Sequence, residues 1–106
     1  MRGAKLAGSG LYDVALDHAD LTHVDLTGAD LSGATLVDAR LVGTRLAGAL
    51  LSYADLTNAD LRGADLTDVD LTAADLTDAK VTSTQLATTT LCRTILPDGS
   101  EAEPDC

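Results

Sequence analysis

The chain has 106 residues, enough for one domain at most, with 45% hydrophobic but only 2% aromatic side chains. Seventeen acids against 7 bases give a formal net charge of −10, which argues against phosphate-directed nucleic-acid binding, and the scarcity of aromatics argues against base or sugar stacking. The longest apolar run is a few residues, too short for a transmembrane helix.

Met1-Arg2-Gly3 leads directly into a repeat with no apolar signal segment, so a cytoplasmic location is expected. From Ala4 to Leu96 a large aliphatic residue recurs at every fifth position: Leu6, Leu11, Leu16 and onward without a break, with Val81 the one substitute for leucine before Leu86, Leu91 and Leu96. Two positions before each of these centres stands a small or β-branched residue, usually Ala (Ala4, Ala19, Ala29, Ala54, Ala64), elsewhere Val14, Val24, Val69 or Thr44. The residue directly before the centre is more often Asp than any other, and the two after it are mostly Thr, Ser, Gly, Asp or Asn.

A period of five fits neither common element. On an α-helix each step of five advances about 140°, so the leucines would spiral instead of forming a stripe. On one flat strand the small residue and its centre share a face, but the next pair falls on the other. The pattern is satisfied only when the chain bends after every pair and returns each pair to one interior. That is a coiled solenoid of short strands.

The tandem A-D-L-x-x unit, clearest in ADLTN ADLRG ADLTD VDLTA ADLTD (54–78), resembles the pentapeptide repeat family over nearly the whole chain. The resemblance implies an all-β, right-handed, four-sided (quadrilateral) parallel β-helix, one pentapeptide per side, with centre and small residue inward. It implies no enzymatic activity. The family often places Phe at the centre, and this chain has none, so a narrow and uniform core is expected. Each buried leucine contributes roughly 1.5–3 kcal/mol. The expected division is 1–96 as the solenoid, of under five coils, and 97–106 as an acidic C-terminal tail or cap.

With four units per coil, residues twenty apart stack. The positions before the centres then form columns, and two of these alternate in sign: Asp20, Arg40, Asp60, Lys80, and Lys5, Asp25, Arg45, Asp65, Gln85. Opposite charges are expected to pair along them, at about 0–1 kcal/mol each. A third side carries Asp55 and Asp75, widened by Asp17, Asp38 and Asp78, and is acidic without a base. The side before it carries Tyr12, Leu50 and Tyr53 outward, an apolar and aromatic spot on a polar rod. Grouped large apolar side chains facing water mark contact sites, whereas single exposed hydrophobes are ordinary.

Other features carry little chemistry. His18 and His23 sit at corners of adjacent units and point outward from different sides, which does not suit a shared metal ion. The Thr and Ser after the centres are interrupted by Val42, Arg62, Ala47 and Asp17, so no side is a uniform threonine lattice. Gly28, Gly33, Gly43, Gly48 and Gly63 fall at corners, where a positive φ is easiest for glycine. No cofactor motif appears, and the repeated Asp is a scaffold feature, not an unequal acid–base pair.

After Val81 the frame continues with Thr84, Thr89 and Thr94 inward, as if the last coil were half wet. Pro97-Asp98-Gly99 is a turn signal, and the tail is read as a lid over open strand edges. Cys92 and Cys106 could close a short loop, although two free thiols are the expected state in a reducing cytosol. The repeat begins without a visible cap, so the first coil is expected to fray, to stack on a second chain or to follow a further domain.

The function read from these residues is a non-enzymatic scaffold or protein-interaction module, monomeric or dimeric through an end or the apolar spot, with a protein partner and no membrane or direct nucleic-acid binding. The alternative is an acidic, DNA-mimicking regulator of a topoisomerase such as DNA gyrase, as the family resemblance allows.

Overall fold

The computed structural model describes residues 3–102 of the chain. Residues preceding the centres form parallel bridges to the residue twenty further on: Lys5 to Asp25, Gly10 to Asp30, Ala15 to Thr35, Asp20 to Arg40, and so upward to Asp60–Lys80. Four independent ladders spaced in this way make a four-sided coil of four pentapeptides, and the chain is a right-handed quadrilateral β-helix. The sides are numbered here by those first residues: side one from Lys5, side two from Gly10, side three from Ala15 and side four from Asp20.

The hydrogen bonds explain the period. Leu26 N–H donates to Arg45 O at 2.7 Å, and Arg45 N–H donates back to Val24 O at 3.0 Å, so each unit spends its inward pair on the next coil. The corner between units is a β-turn closed by bonds such as Ala29 N–H to Leu26 O at 3.0 Å. From Gly8 to Asp78 the second residue after each centre is left-handed, with φ 66 at Gly28, φ 62 at Tyr53 and φ 58 at Ala73. A left-handed third turn residue is what a type II turn requires. It rotates each new pair back toward the same axis.

That axis is dry. From Leu21 to Leu61 the central leucines are at most 1% exposed, with Ala29, Ala34, Ala49 and Ala59 at 0% between them. Leu6, Leu11 and Leu16 are only partly buried, because among the described residues they have a coil on one side only. The rod measures 34 Å by 24 Å by 22 Å. Among the described residues no helix is long and apolar enough to cross a membrane.

The repeat departs from its frame once. The unit after Val81 is not a strand: Thr82 caps a single helical turn, α1 (Ser83–Leu86), through a reciprocal capping box with Gln85. Gln85 therefore does not extend the side-one column. Its Nε2 instead donates to Ala64 O at 3.0 Å, the carbonyl the missing strand leaves open, and to Leu61 O at 2.8 Å, which also accepts Ala64 N–H. Leu86 still reaches the core at 9% exposure, and the ladder resumes at Asp70–Thr90.

The three inward threonines expected near the end separate accordingly. Thr84 lies on the helical turn and is exposed, Thr89 is half-buried, and Thr94 is fully buried with its hydroxyl donating to Leu71 O at 2.6 Å. Beyond Pro97 the chain reverses. Leu96 N–H donates to Ser100 O, Ala102 N–H donates to Thr94 O, and Glu101 pairs antiparallel with Ile95, covering the last edge of side three.

Candidate functional site

The outer surface is built from one local device. In a D-L-T unit the Asp carboxylate accepts both the N–H and the hydroxyl of the residue two on: Thr27 N–H at 3.0 Å and Thr27 Oγ1 at 2.7 Å reach Asp25, and the same pair of bonds joins Asp65 to Thr67 and Asp70 to Thr72. Local closure of this kind favours turns. It also holds the acids in their charged form. The Thr27 hydroxyl, then its N–H, keeps Asp25 below the usual carboxylate range, with Arg45 and Lys5 contributing less. The Ser32 hydroxyl does the same for Asp30, the Thr67 hydroxyl for Asp65 and the Thr72 hydroxyl for Asp70.

Among the described residues no ion pair joins Lys5 to Asp25, Asp25 to Arg45, Arg45 to Asp65, Arg40 to Asp60 or Asp60 to Lys80. Asp60 is gripped from within its own unit, Arg62 Nε donating at 2.8 Å and Nη2 at 2.6 Å, rather than by Arg40 or Lys80. That bond lowers Asp60 and raises Arg62. A sequence reading misses this because the bonding spacing is i to i+2 within a unit, not i to i+20 between coils.

Side two gathers Tyr12, Leu50 and Tyr53, exposed at 67%, 43% and 73%. Leu50 stands before its centre, where Asp30 and Asp70 stand one coil either way, and Tyr53 occupies the following left-handed corner at φ 62. Two coils from Leu50, the Tyr12 ring leans across the side; a Cβ built on Gly10 would lie 3.7 Å from Tyr12 Cε1.

Side three brings Asp55 and Asp75 together as a bridged pair in adjacent coils, each accepting its own threonine, Thr57 and Thr77. Asp17 spends one oxygen on Val37 N–H at 2.9 Å. Asp38 and Asp78 occupy left-handed corners, and His18 Nδ1 stands 3.7 Å from Asp38. His23 lies a corner away against Gly43, on a shallow groove of about 310 Å³ lined also by Gly3, Lys5, Asp25 and Arg45. Among the described residues no cluster of His, Cys, Asp or Glu is arranged to hold a metal ion. Cys92 is buried at 8% exposure and is not a free thiol; its suggested partner Cys106 lies outside the described residues.

The geometry is that of a repeat solenoid whose interior is invariant and whose individuality lies on its sides. The family profile for Pentapeptide repeats matches residues 1–36, 11–48 and 39–78, and the chain belongs to that family. Among solved structures it is similar to a pentapeptide repeat protein of the Arabidopsis thaliana thylakoid lumen, with 32% identity, a TM-score of 0.73 and coverage of 89% of this chain and 62% of that one. It is also similar to HetL of Nostoc sp. strain PCC 7120, a pentapeptide repeat protein involved in heterocyst differentiation regulation, with 34% identity, a TM-score of 0.54 and coverage of 94% and 54%. A further Nostoc PCC 7120 pentapeptide repeat protein matches at 30% identity and a TM-score of 0.51, covering 82% of this chain and 79% of that one. The chain thus spans 62% and 54% of the first two relatives. No curated protein sequence matches it.

Proposed function

We propose that this chain is a non-enzymatic scaffold that binds another protein through side two. One observation carries the reading: the unit Ala49–Tyr53 places a large apolar Leu50 where Asp30 and Asp70 close on their own units one coil either way, and a large aromatic Tyr53 at the corner that follows. The two side chains are large, exposed and on one side, the composition of a protein-contact centre.

The test compares wild-type chain with Leu50→Ser/Tyr53→Ser, both checked by circular dichroism, as baits in a crosslinking pull-down. Loss of a reproducible partner from the double variant is expected. Identical capture profiles would end the reading.

A second reading, mimicry of duplex DNA toward a topoisomerase, is favoured by the stacked Asp55 and Asp75 with Asp17, Asp38 and Asp78 on side three. Against it, Asp17 already accepts the Val37 N–H and Asp38 has His18 beside it, so both carboxylates have local neighbours. A gyrase supercoiling assay separates the two: inhibition at micromolar chain that disappears in Asp55→Asn/Asp75→Asn would favour mimicry over the scaffold.

A further inference from the structure

Leu50 and Tyr53 belong to one unit and lie at opposite margins of the same side, one before the centre and one at the corner after it. A two-fold axis parallel to the rod exchanges those margins while keeping every coil at its own level. We propose that side two is a self-association surface, on which a second copy of this chain lies alongside with its axis parallel. The proposal rests on the reading that side two is a contact surface and names its occupant.

Three features select this arrangement. It sets Leu50 of each copy over the partner's Ser52 and beside the partner's Tyr53, so the exposed leucine and tyrosine adjoin twice. Two coils away the Tyr12 ring, which reaches across the middle of the side toward Gly10, meets the partner's Tyr12 on the axis, where aromatic rings pack offset. In the intervening and following coils the carboxylate-bearing margin faces the hydroxyl-bearing one: Asp30 opposite the partner's Ser32, and Asp70 opposite the partner's Thr72. The antiparallel alternative at full overlap puts Asp30 opposite the partner's Asp70, and like charges directly opposed are unfavourable.

Side two has five levels about 4.8 Å apart and is at most 22 Å wide, which gives about 1,000 Å² buried between two copies at full overlap, the lower end for a specific interface. Each copy carries a formal −10, so their mutual repulsion weakens the pair at low ionic strength, and added salt strengthens it.

Sedimentation equilibrium of the full chain, from micromolar to millimolar and at low and high salt, tests the proposal. The expected result is a monomer–dimer equilibrium tightened by salt and weakened at least tenfold in Leu50→Ser/Tyr53→Ser, with the melting profile retained. Asp30→Asn, which keeps an oxygen acceptor for Ser32, is expected to change the dissociation constant less than twofold. A monomer at millimolar chain and high salt overturns the proposal, as does a dimer indifferent to the double variant. A tenfold tightening in Asp30→Asn overturns it by pointing to the antiparallel pair. A monomeric chain that still loses a captured partner on Leu50→Ser/Tyr53→Ser overturns self-association while leaving the scaffold reading intact.

Discussion

The left-handed corner is the feature on which the coil turns, and two opposite substitutions weigh it. Gly48 has φ 69, is exposed, and a Cβ added there meets nothing within 4 Å. The cost of Gly48→Ala is therefore backbone conformation alone, about 1–2 kcal/mol for a non-glycine residue in this region. Ala73 is the converse: φ 58, a methyl side chain with no polar group to offset the conformation, and an N–H held by Cys92 O at 2.8 Å that glycine preserves. Ala73→Gly should recover about 1 kcal/mol, less a few tenths for the half-buried methyl it gives up. For a domain of this size 1 kcal/mol moves the midpoint by roughly 4–8 °C. Thermal melts followed by circular dichroism should thus move in opposite directions, Gly48→Ala down and Ala73→Gly up. Gly33→Ala should fall somewhat below Gly48→Ala, because its Cβ also displaces the Asp13 carboxylate. A neutral Gly48→Ala with a destabilised Ala73→Gly would refute the left-handed corner as the source of the bend.

Leu56 is 0% exposed, so Leu56→Asp leaves an unpaired buried carboxylate and should cost at least about 3–5 kcal/mol, whereas Ala47→Asp, pointing outward, should shift the urea midpoint little. Thr57 also points outward, yet its N–H and hydroxyl both donate to Asp55; Thr57→Asp sets a second carboxylate there and should cost about 1–2 kcal/mol, measured in the same titration. Thr44 is fully buried with its hydroxyl donating to Leu21 O at 2.8 Å, but that carbonyl also accepts Val24 N–H, so Thr44→Val should lose only about 0.5–1 kcal/mol. Asp25, Asp30, Asp60, Asp65, Asp70 and Asp98 have depressed folded-state pKa values, so the unfolded chain takes up protons first. Their stabilisation is complete above the ordinary carboxylate range near pH 4 and is lost as pH falls through the folded values. Melting temperature should be flat from neutral pH to about 5 and drop below about 4, and a midpoint that keeps rising toward pH 3 would count against the local closures.

The architecture was legible because its cause is local and repeated. Leu and Ala at fixed spacing exclude helix and flat strand, and the bend they demand is the corner that Gly28, Gly33 and Gly48 announce. The occupants of the other corners were less legible: Tyr53, Ala73 and Arg93 adopt the same left-handed geometry without any glycine signal, forced into it by the coils above and below. The Asp pattern was visible but its role was not. Stacking every twenty residues suggested charge pairing between coils, yet an exposed ion pair is worth little, and a carboxylate two residues from a hydroxyl closes first on its neighbour. The side-one helical turn was hidden for a different reason. Thr82-Ser83-Thr84-Gln85 keeps the five-residue frame in sequence, but its capping box supplies an alternative set of backbone bonds that a strand of threonines could not better. The exposed Tyr12, Leu50 and Tyr53 could be read in advance, since an outward column tolerates large apolar residues only as exceptions.

Those exceptions can be weighed in energy. At Leu50 the unit forgoes the closure an aspartate would make. At Tyr53 it accepts a bulky side chain in a left-handed corner, where glycine stands one coil away at Gly33. The two departures together cost about 2 kcal/mol in the isolated rod, roughly one for a lost hydrogen bond and one for the backbone. Packing within the monomer returns little of this, since Leu50 remains 43% and Tyr53 73% exposed. At about 25 cal/mol per Å², some 80 Å² of newly covered apolar surface offsets the whole deficit, well under the area one tyrosine buries in a contact. The stability that Ala49–Tyr53 withholds from the free chain is therefore recovered as soon as side two is covered, and no internal rearrangement of the coil recovers it as directly.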